Sequence, residues 1–175
     1  MTRRALITLG FACTLRASPC SADGLARTAS IVGDGNKVIG TVTLSQAPRG
    51  VLLKVEASGL SEGWHGMHIH SVATCGDPGF KASGGHVHGS AAASVHGLLN
   101  ENATDLGDLP NLFVGPDGKA FAEVFAPNLS LGEAVGRLNL LDADGSALVI
   151  HASPDDHVSQ PIGGAGARIA CAPIQ

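Results

Sequence analysis

Between residues 65 and 89 the chain reads HGMHIHSVATCGDPGFKASGGHVHG, and this stretch holds five of its eight histidines and one of its four cysteines. His68 and His70 alternate about Ile69. On a strand, residues i and i+2 point to the same face, which sets two imidazoles side by side, close enough to share one metal ion. A lone His-x-His also fits an ordinary polar strand face. The later histidines, His86, His88 and His96, and His151 at the end of another apolar run, favour the metal reading. Imidazole clusters with few thiols suit copper or zinc, whereas calcium and magnesium take oxygen ligands.

The rest of the chain supplies a scaffold of short strands. From Ile31 onward, alternating apolar runs are separated by turn signals. Val38, Gly40, Val42 and Leu44 mark one strand face; Val51, Leu53, Val55 and Ala57 mark the next, with Lys54 and Glu56 outward. Trp64 to His70 follows, then Leu112 to Val114 and Ala120 to Phe125 about an Asp117-Gly118 hairpin turn. Further strands are expected over Ala134 to Leu141, Ala147 to His151 and Arg168 to Ile174. Two stretches break the rhythm, residues 71–110 and 152–167. Structureless stretches that long in a compact domain are usually functional or disordered, and a bound ion can supply the ordering that a missing core does not. No stretch keeps helical amphipathicity over three turns, and 24 glycines favour turns over long helices. The pattern predicts an all-β fold: an eight-stranded antiparallel Greek-key barrel or sandwich with two long functional loops.

A length of 175 residues predicts one domain. Aromatics make up only 3% of the chain, so the core must rest on Val, Ile, Leu and Ala. A net charge of −4 gives no reason to expect a nucleic-acid partner. Thr2-Arg3-Arg4, the apolar run Ala5 to Leu15, and small residues to Ala22 follow the order of a secretory signal peptide. The run is too short to span a membrane. This predicts a signal peptide over 1–22, a mature domain over 23–175 and a periplasmic location. Cleavage would leave Cys75 and Cys171, and an even pair in an exported domain most simply forms one disulfide.

Imidazoles thus come from three parts of the chain: His68 with His70, the 86–96 loop, and His151. Three or four of them suit copper, which accepts planar nitrogen sets when oxidised and tolerates loss of a ligand when reduced. Asp105 and Asp108 lie three apart downstream of His96, and two histidines with carboxylates suit zinc.

HGMHIH, Cys75, FKASGGH, HGLLNENATDLGDLPNL, GSALVIHASPDD and GARIAC together resemble the copper–zinc superoxide dismutases, especially the exported bacterial branch. The resemblance runs from about Ile31 to Ile174. It implies copper and zinc as cofactors, superoxide as substrate, and disproportionation to oxygen and hydrogen peroxide. It implies His68, His70, His86 and His151 as copper ligands, with His86 bridging to zinc. His96 and Asp108 would be zinc ligands. It further implies a Cys75–Cys171 disulfide, Arg168 as the guide for the anion, Asp155 as the carboxylate joining His68 to His96, and His65 as a structural residue. Two departures stand out. Asp105 occupies a position where the family usually has histidine, so the zinc set becomes two His and two Asp. Val87-His88-Gly89 replaces the usual turn after His86, which offers His88 as an alternative zinc ligand. His157 stands where exported relatives often have Tyr. A dismutase with a weak zinc site and a copper carrier without turnover are the competing readings, and monomer and homodimer both remain open.

Overall fold

The computed structural model describes residues 24–89 and 94–175, so the leader expected over 1–22 lies outside the described residues. Ten strands occur in chain order: β1 (Ala26–Val32), β2 (Val38–Ala47), β3 (Gly50–Ser58), β4 (Gly63–His70), β5 (Asp108–Val114), β6 (Lys119–Ala126), β7 (Leu129–Ser130), β8 (Leu138–Asn139), β9 (Ser146–His151) and β10 (Arg168–Ile174). Eight of them form one sheet in the order β5-β4-β9-β10-β1-β2-β3-β6. All its pairings are antiparallel. Its two outermost strands, β5 and β6, are consecutive in the chain and joined by the tight turn at 115–118, so the sheet nearly closes into a barrel.

Alternation fills that barrel. Val51, Leu53, Val55 and Ala57 of β3 are buried, while Lys54 points out and pairs with Glu56 across 3.0 Å. Met67 and Ile69 of β4 and Leu148 and Ile150 of β9 enter the same core. Their neighbours in sequence, His68, His70, Ala147, Val149 and His151, belong by the period-2 rule to the outer face. All five are nevertheless buried, because the two long loops fold over that side. Val149 and Ala147 there form a second apolar cluster with Cys75, Phe80 and Cys171. The disulfide Cys75–Cys171 ties the first loop to β10 across a sequence separation of 96.

Three expectations need correction. The segment 134–141 is mostly turn; only Leu138 and Asn139 pair, in parallel with Leu129–Ser130, in a separate two-stranded sheet. Gly136 sits at φ 73° and Val135 is fully exposed, so the apolar letters there never face a core. Val38 is 61% exposed at the start of β2, where the barrel face has not begun. Strand rhythm returns at Asp108, four residues before Leu112.

Candidate metal centre

The described parts of the loop between β4 and β5, residues 71–89 and 94–107, fold against the end of β4. Val87 donates its N–H to Ile69 O at 3.0 Å, and Ile69 donates to Gly107 O at 2.8 Å. Single antiparallel bridges pair His70 with His86 and His88 with Asp105. Gly107 passes so close to Ile69 O and Val87 that a Cβ there would clash with both. This approach carries His86, Asp105 and Asp108 to the outer face of β4.

His68, His70, His86 and His151 converge as one buried group. Each uses one ring nitrogen on a protein acceptor. His68 Nε2 donates to Asp155 Oδ2 at 2.8 Å, His70 Nδ1 to Gly84 O at 3.0 Å, and His151 Nδ1 to Gly166 O at 3.1 Å. His86 Nδ1 faces Asp105 Oδ2 at 3.1 Å and Asp108 Oδ1 at 3.3 Å. The other nitrogens, His68 Nδ1, His70 Nε2, His86 Nε2 and His151 Nε2, are buried without a hydrogen-bond partner. For His68, His70 and His151 these partners assign the proton to the bonded nitrogen and leave a lone pair on the other; His86 Nε2 faces the same group, while its Nδ1 faces the two carboxylates. Four buried lone pairs aimed at one point are costly unless a cation receives them, so this set fits copper.

Burial also keeps three of these rings neutral. It pushes His151 down to about 4 and His70 down to about 2, and it lowers His68 against the opposing hydrogen bond from Asp155. His86 goes the other way. Burial alone would lower it, but the hydrogen bonds to Asp105 and Asp108 outweigh burial and raise it.

A second group lies on the far side of His86. His96 Nδ1 is 2.9 Å from Asp108 Oδ1 and 3.9 Å from Asp105 Oδ2. With His86 Nδ1 included, the four His-to-Asp separations among these atoms run from 2.9 to 3.9 Å. A tetrahedral ion with ligands at about 2.0 Å needs donors about 3.3 Å apart, so two His and two Asp fit zinc. His96 Nε2 already donates to Asp155 Oδ1 at 3.0 Å, which leaves the Nδ1 lone pair facing a carboxylate. A cation between them resolves that contact. His68 also lies within reach of this group alongside His86, His96 and Asp108, but its Nε2 is committed to Asp155.

His88 takes no part among the described residues. It is exposed, and its Nδ1 donates to Gly89 O at 3.0 Å. His65 ties elements together, with Nδ1 at 2.7 Å from His151 O and Nε2 at 2.9 Å from Ser61 O. Arg168 begins β10 and is locked by Phe80 O at 2.7 Å, Gly84 O at 2.8 Å and Ser83 Oγ at 3.1 Å. It lines an open cavity of about 240 Å³ with His70, His86, His151, Pro161 and Ile162. Asp155 is held well below the usual carboxylate range: burial opposes this, but the hydrogen bonds from His68 and His96 prevail.

Several contributors carry no sequence signal of their own. Ser94 Oγ donates to Asp105 Oδ1. Asn111 brackets the Asp155 backbone, accepting from its N–H and donating to its C=O, each at 2.8 Å. Gln160 does the same for His96, at 2.9 and 2.8 Å. Polar residues of these types are common in loops, and only the fold reveals which backbone each one reaches.

The family profile of copper/zinc superoxide dismutase matches residues 38–174. A superoxide dismutase [Cu-Zn] of Caulobacter vibrioides is 59% identical over 143 residues, covering 82% of this chain and 81% of that protein. One from Aquifex aeolicus is 38% identical, covering 93% of this chain and 95% of its own. Among solved structures, a SOD-like protein from Bacillus subtilis superposes with a TM-score of 0.78 at 35% identity, covering 85% and 97% of the two chains. The Cu/Zn superoxide dismutase from Brucella abortus gives 0.69 at 30% identity, covering 86% and 100%.

Proposed function

The chain belongs to the copper/zinc superoxide dismutase family, and we propose that it disproportionates superoxide at the group of His68, His70, His86 and His151, beside Arg168. The observation that carries this reading is the set of four buried, unpartnered ring nitrogens, with three of the histidines, His70, His86 and His151, lining the cavity beside Arg168. Copper would be held by these nitrogens and would supply one-electron redox chemistry there. Zinc would be held by His86, His96, Asp105 and Asp108.

The residues of the chain do the remaining work. Arg168 keeps a fixed positive charge at neutral pH and draws the anion into the cavity. Such focusing raises on-rates by ~10- to 1,000-fold and weakens with salt. Its three hydrogen bonds to the 80–84 turn hold the guanidinium in one place. Pro161 and Ile162 narrow the approach with apolar walls. His86 Nε2 is placed to hold a proton between the two half-reactions. Two superoxides and two protons give one oxygen and one peroxide, with one proton from His86 Nε2 and one from water. Asp155 fixes the tautomers of His68 and His96, so that each presents Nδ1 away from the carboxylate.

The signal-peptide order of residues 1–22 supports export and a periplasmic location, testable by N-terminal sequencing of the mature protein. Of the two association states, the homodimer is supported by Trp64, Phe113, Phe121 and Phe125, all about half exposed or more on β4, β5 and β6. Together they offer roughly 400 Å² of ring surface, about half of what each partner gives in a standard interface. Sedimentation should find a dimer at micromolar concentration that Phe113→Lys converts to monomer.

The test of function is copper and zinc per chain beside superoxide turnover, for wild type and Arg168→Ala. One copper, one zinc and fast turnover are expected in wild type. The variant should keep its copper, lose about tenfold or more in turnover, and lose its dependence on salt. Copper without turnover in the wild type would favour a carrier.

A further inference from the structure

His157, like His65 and His88, belongs to neither metal group, but it alone of the three touches the carboxylate that joins them. Its backbone is left-handed at φ 63°, uncommon outside glycine though histidine is among the residues that tolerate it. Two hydrogen bonds hold it there. The His157 N–H donates to Asp155 Oδ1 at 2.6 Å, and its C=O accepts from Leu99 at 3.1 Å. The ring is largely buried. Asn111 Nδ2 lies 3.3 Å from His157 Nε2, and that amide can only donate, so Nε2 is the acceptor and Nδ1 carries the proton. His157 Nδ1 then points to Asp155 Oδ2 at 3.4 Å, without a formed hydrogen bond and without any other partner.

We propose that His157 is a positioning residue that acts through Asp155 to weaken the grip of the protein on both metals. The argument is electrostatic. Asp155 already accepts from His68 Nε2 on one oxygen, and from His96 Nε2 and the His157 N–H on the other. A further N–H dipole close to Oδ2 stabilises the negative charge on the carboxylate itself. The carboxylate then pulls less strongly on the protons of His68 and His96. Those imidazoles become less anionic and poorer donors at their opposite nitrogens. An unpartnered buried N–H is otherwise unfavourable, and this one lies 3.4 Å from the carboxylate through which both metal groups are coupled. This inference rests on the metal assignment above and adds a residue to it.

The sign separates this role from a packing role. If His157 only braced Asp155, removing it would loosen the carboxylate and weaken zinc. If it damps Asp155, removing it strengthens zinc. His157→Gly removes the ring, suits the left-handed backbone and retains the backbone N–H. His157→Asn places an amide N–H where Nδ1 stands and also tolerates the left-handed backbone. Zinc dissociation constants would be measured by chelator competition on copper-free protein, and the copper EPR spectrum on the copper-loaded protein. We expect His157→Gly to bind zinc several-fold more tightly and to shift the copper hyperfine splitting, and His157→Asn to return both toward wild type. Zinc binding that is unchanged or weaker in His157→Gly, with a normal circular dichroism spectrum, overturns the proposal. If His157→Gly does not fold, His157→Ala, which also lacks a side-chain donor, decides: tighter zinc upholds the proposal, and unchanged or weaker zinc overturns it. Wild-type protein that binds no zinc overturns the metal assignment as well, which distinguishes the two failures.

Discussion

Gly163 lies directly against Asp155: a Cβ built on Gly163 would overlap Asp155 Oδ1 and come within 2.9 Å of His96 Nε2. The second loop therefore reaches the metal side through a glycine that leaves room for the carboxylate. Its φ of 59° also suits glycine. Gly163→Ala should push Asp155 off both His68 and His96. Loss of such an outer partner typically costs 10- to 100-fold in metal affinity, and we expect zinc retention to fall within about that range. Gly164→Ala is the control. It shares a left-handed φ of 72° but has open space around the added Cβ. Zinc affinity measured for both variants checks this; equal losses would mean that backbone strain, and not the clash, was responsible.

Much of the site was legible before the fold because metal ligands are chemically distinctive. His68 and His70 announce a shared face, and His86, His96 and His151 are scarce residue types in suggestive contexts. The period-2 runs of β3 and β4 likewise predict the barrel. What failed did so for local reasons. Residues 134–141 carry apolar letters, but Gly136 turns the chain at φ 73° and Val135 faces solvent. Asn111, Gln160 and Gly163 act through backbone contacts between parts of the chain 44 or more residues apart, or through the absence of a side chain. No pattern in sequence marks those.

Asp105 and His88 make opposite predictions about zinc. Asp105 Oδ2 lies 3.1 Å from His86 Nδ1, its Oδ1 accepts from Ser94, and it is buried. Asp105→Ala should weaken zinc by more than about tenfold, the loss that even an outer partner produces. His88 is exposed and turned to Gly89 O, so His88→Ala should leave zinc affinity within about twofold, as expected of a solvated side chain. Chelator competition on the two variants is the measurement. A large loss in His88→Ala would move the zinc assignment toward that residue.

The Cys75–Cys171 bond links the loop that carries Phe80, Ser83 and Gly84 to the strand that carries Arg168. Cutting it frees a loop of about a hundred residues in the unfolded chain, worth at most about 4–5 kcal/mol in the chain-entropy account. It also loosens the apolar packing of Phe80 against Val149 and Ala147. Cys75→Ser with Cys171→Ser should therefore lower thermal stability markedly. Turnover per copper should fall as well, because the carbonyls that fix the guanidinium sit on the released loop. Calorimetry and turnover per bound copper test the two parts. Unchanged turnover would show that the 80–84 turn holds its place without the bond.

The metal-stripped protein should lose stability as pH falls from neutrality. His151 and His70 are held neutral by burial, at about 4 and about 2 against an ordinary value of 6.5. His68 is lowered as well. Below pH 6.5 these rings take up protons when the chain unfolds but not while it stays folded, so the unfolded state is favoured by added acid. For His151 the span from 6.5 to about 4 amounts to roughly 3 kcal/mol, fully lost once pH drops below about 4. His86 opposes this. Its value is raised, so its contribution is complete below 6.5 and disappears as pH rises through its folded value. Three lowered rings against one raised ring leave a net loss on the acid side. The aspartates add to it only at lower pH, since Asp108 and Asp155 are depressed and stabilise until their own carboxylates are protonated. Melting temperatures of chelator-treated protein at pH 7 and pH 5 should therefore show a clear drop at pH 5, and a flat or rising profile would mean that the His86 pair with Asp105 and Asp108 dominates the metal-free state.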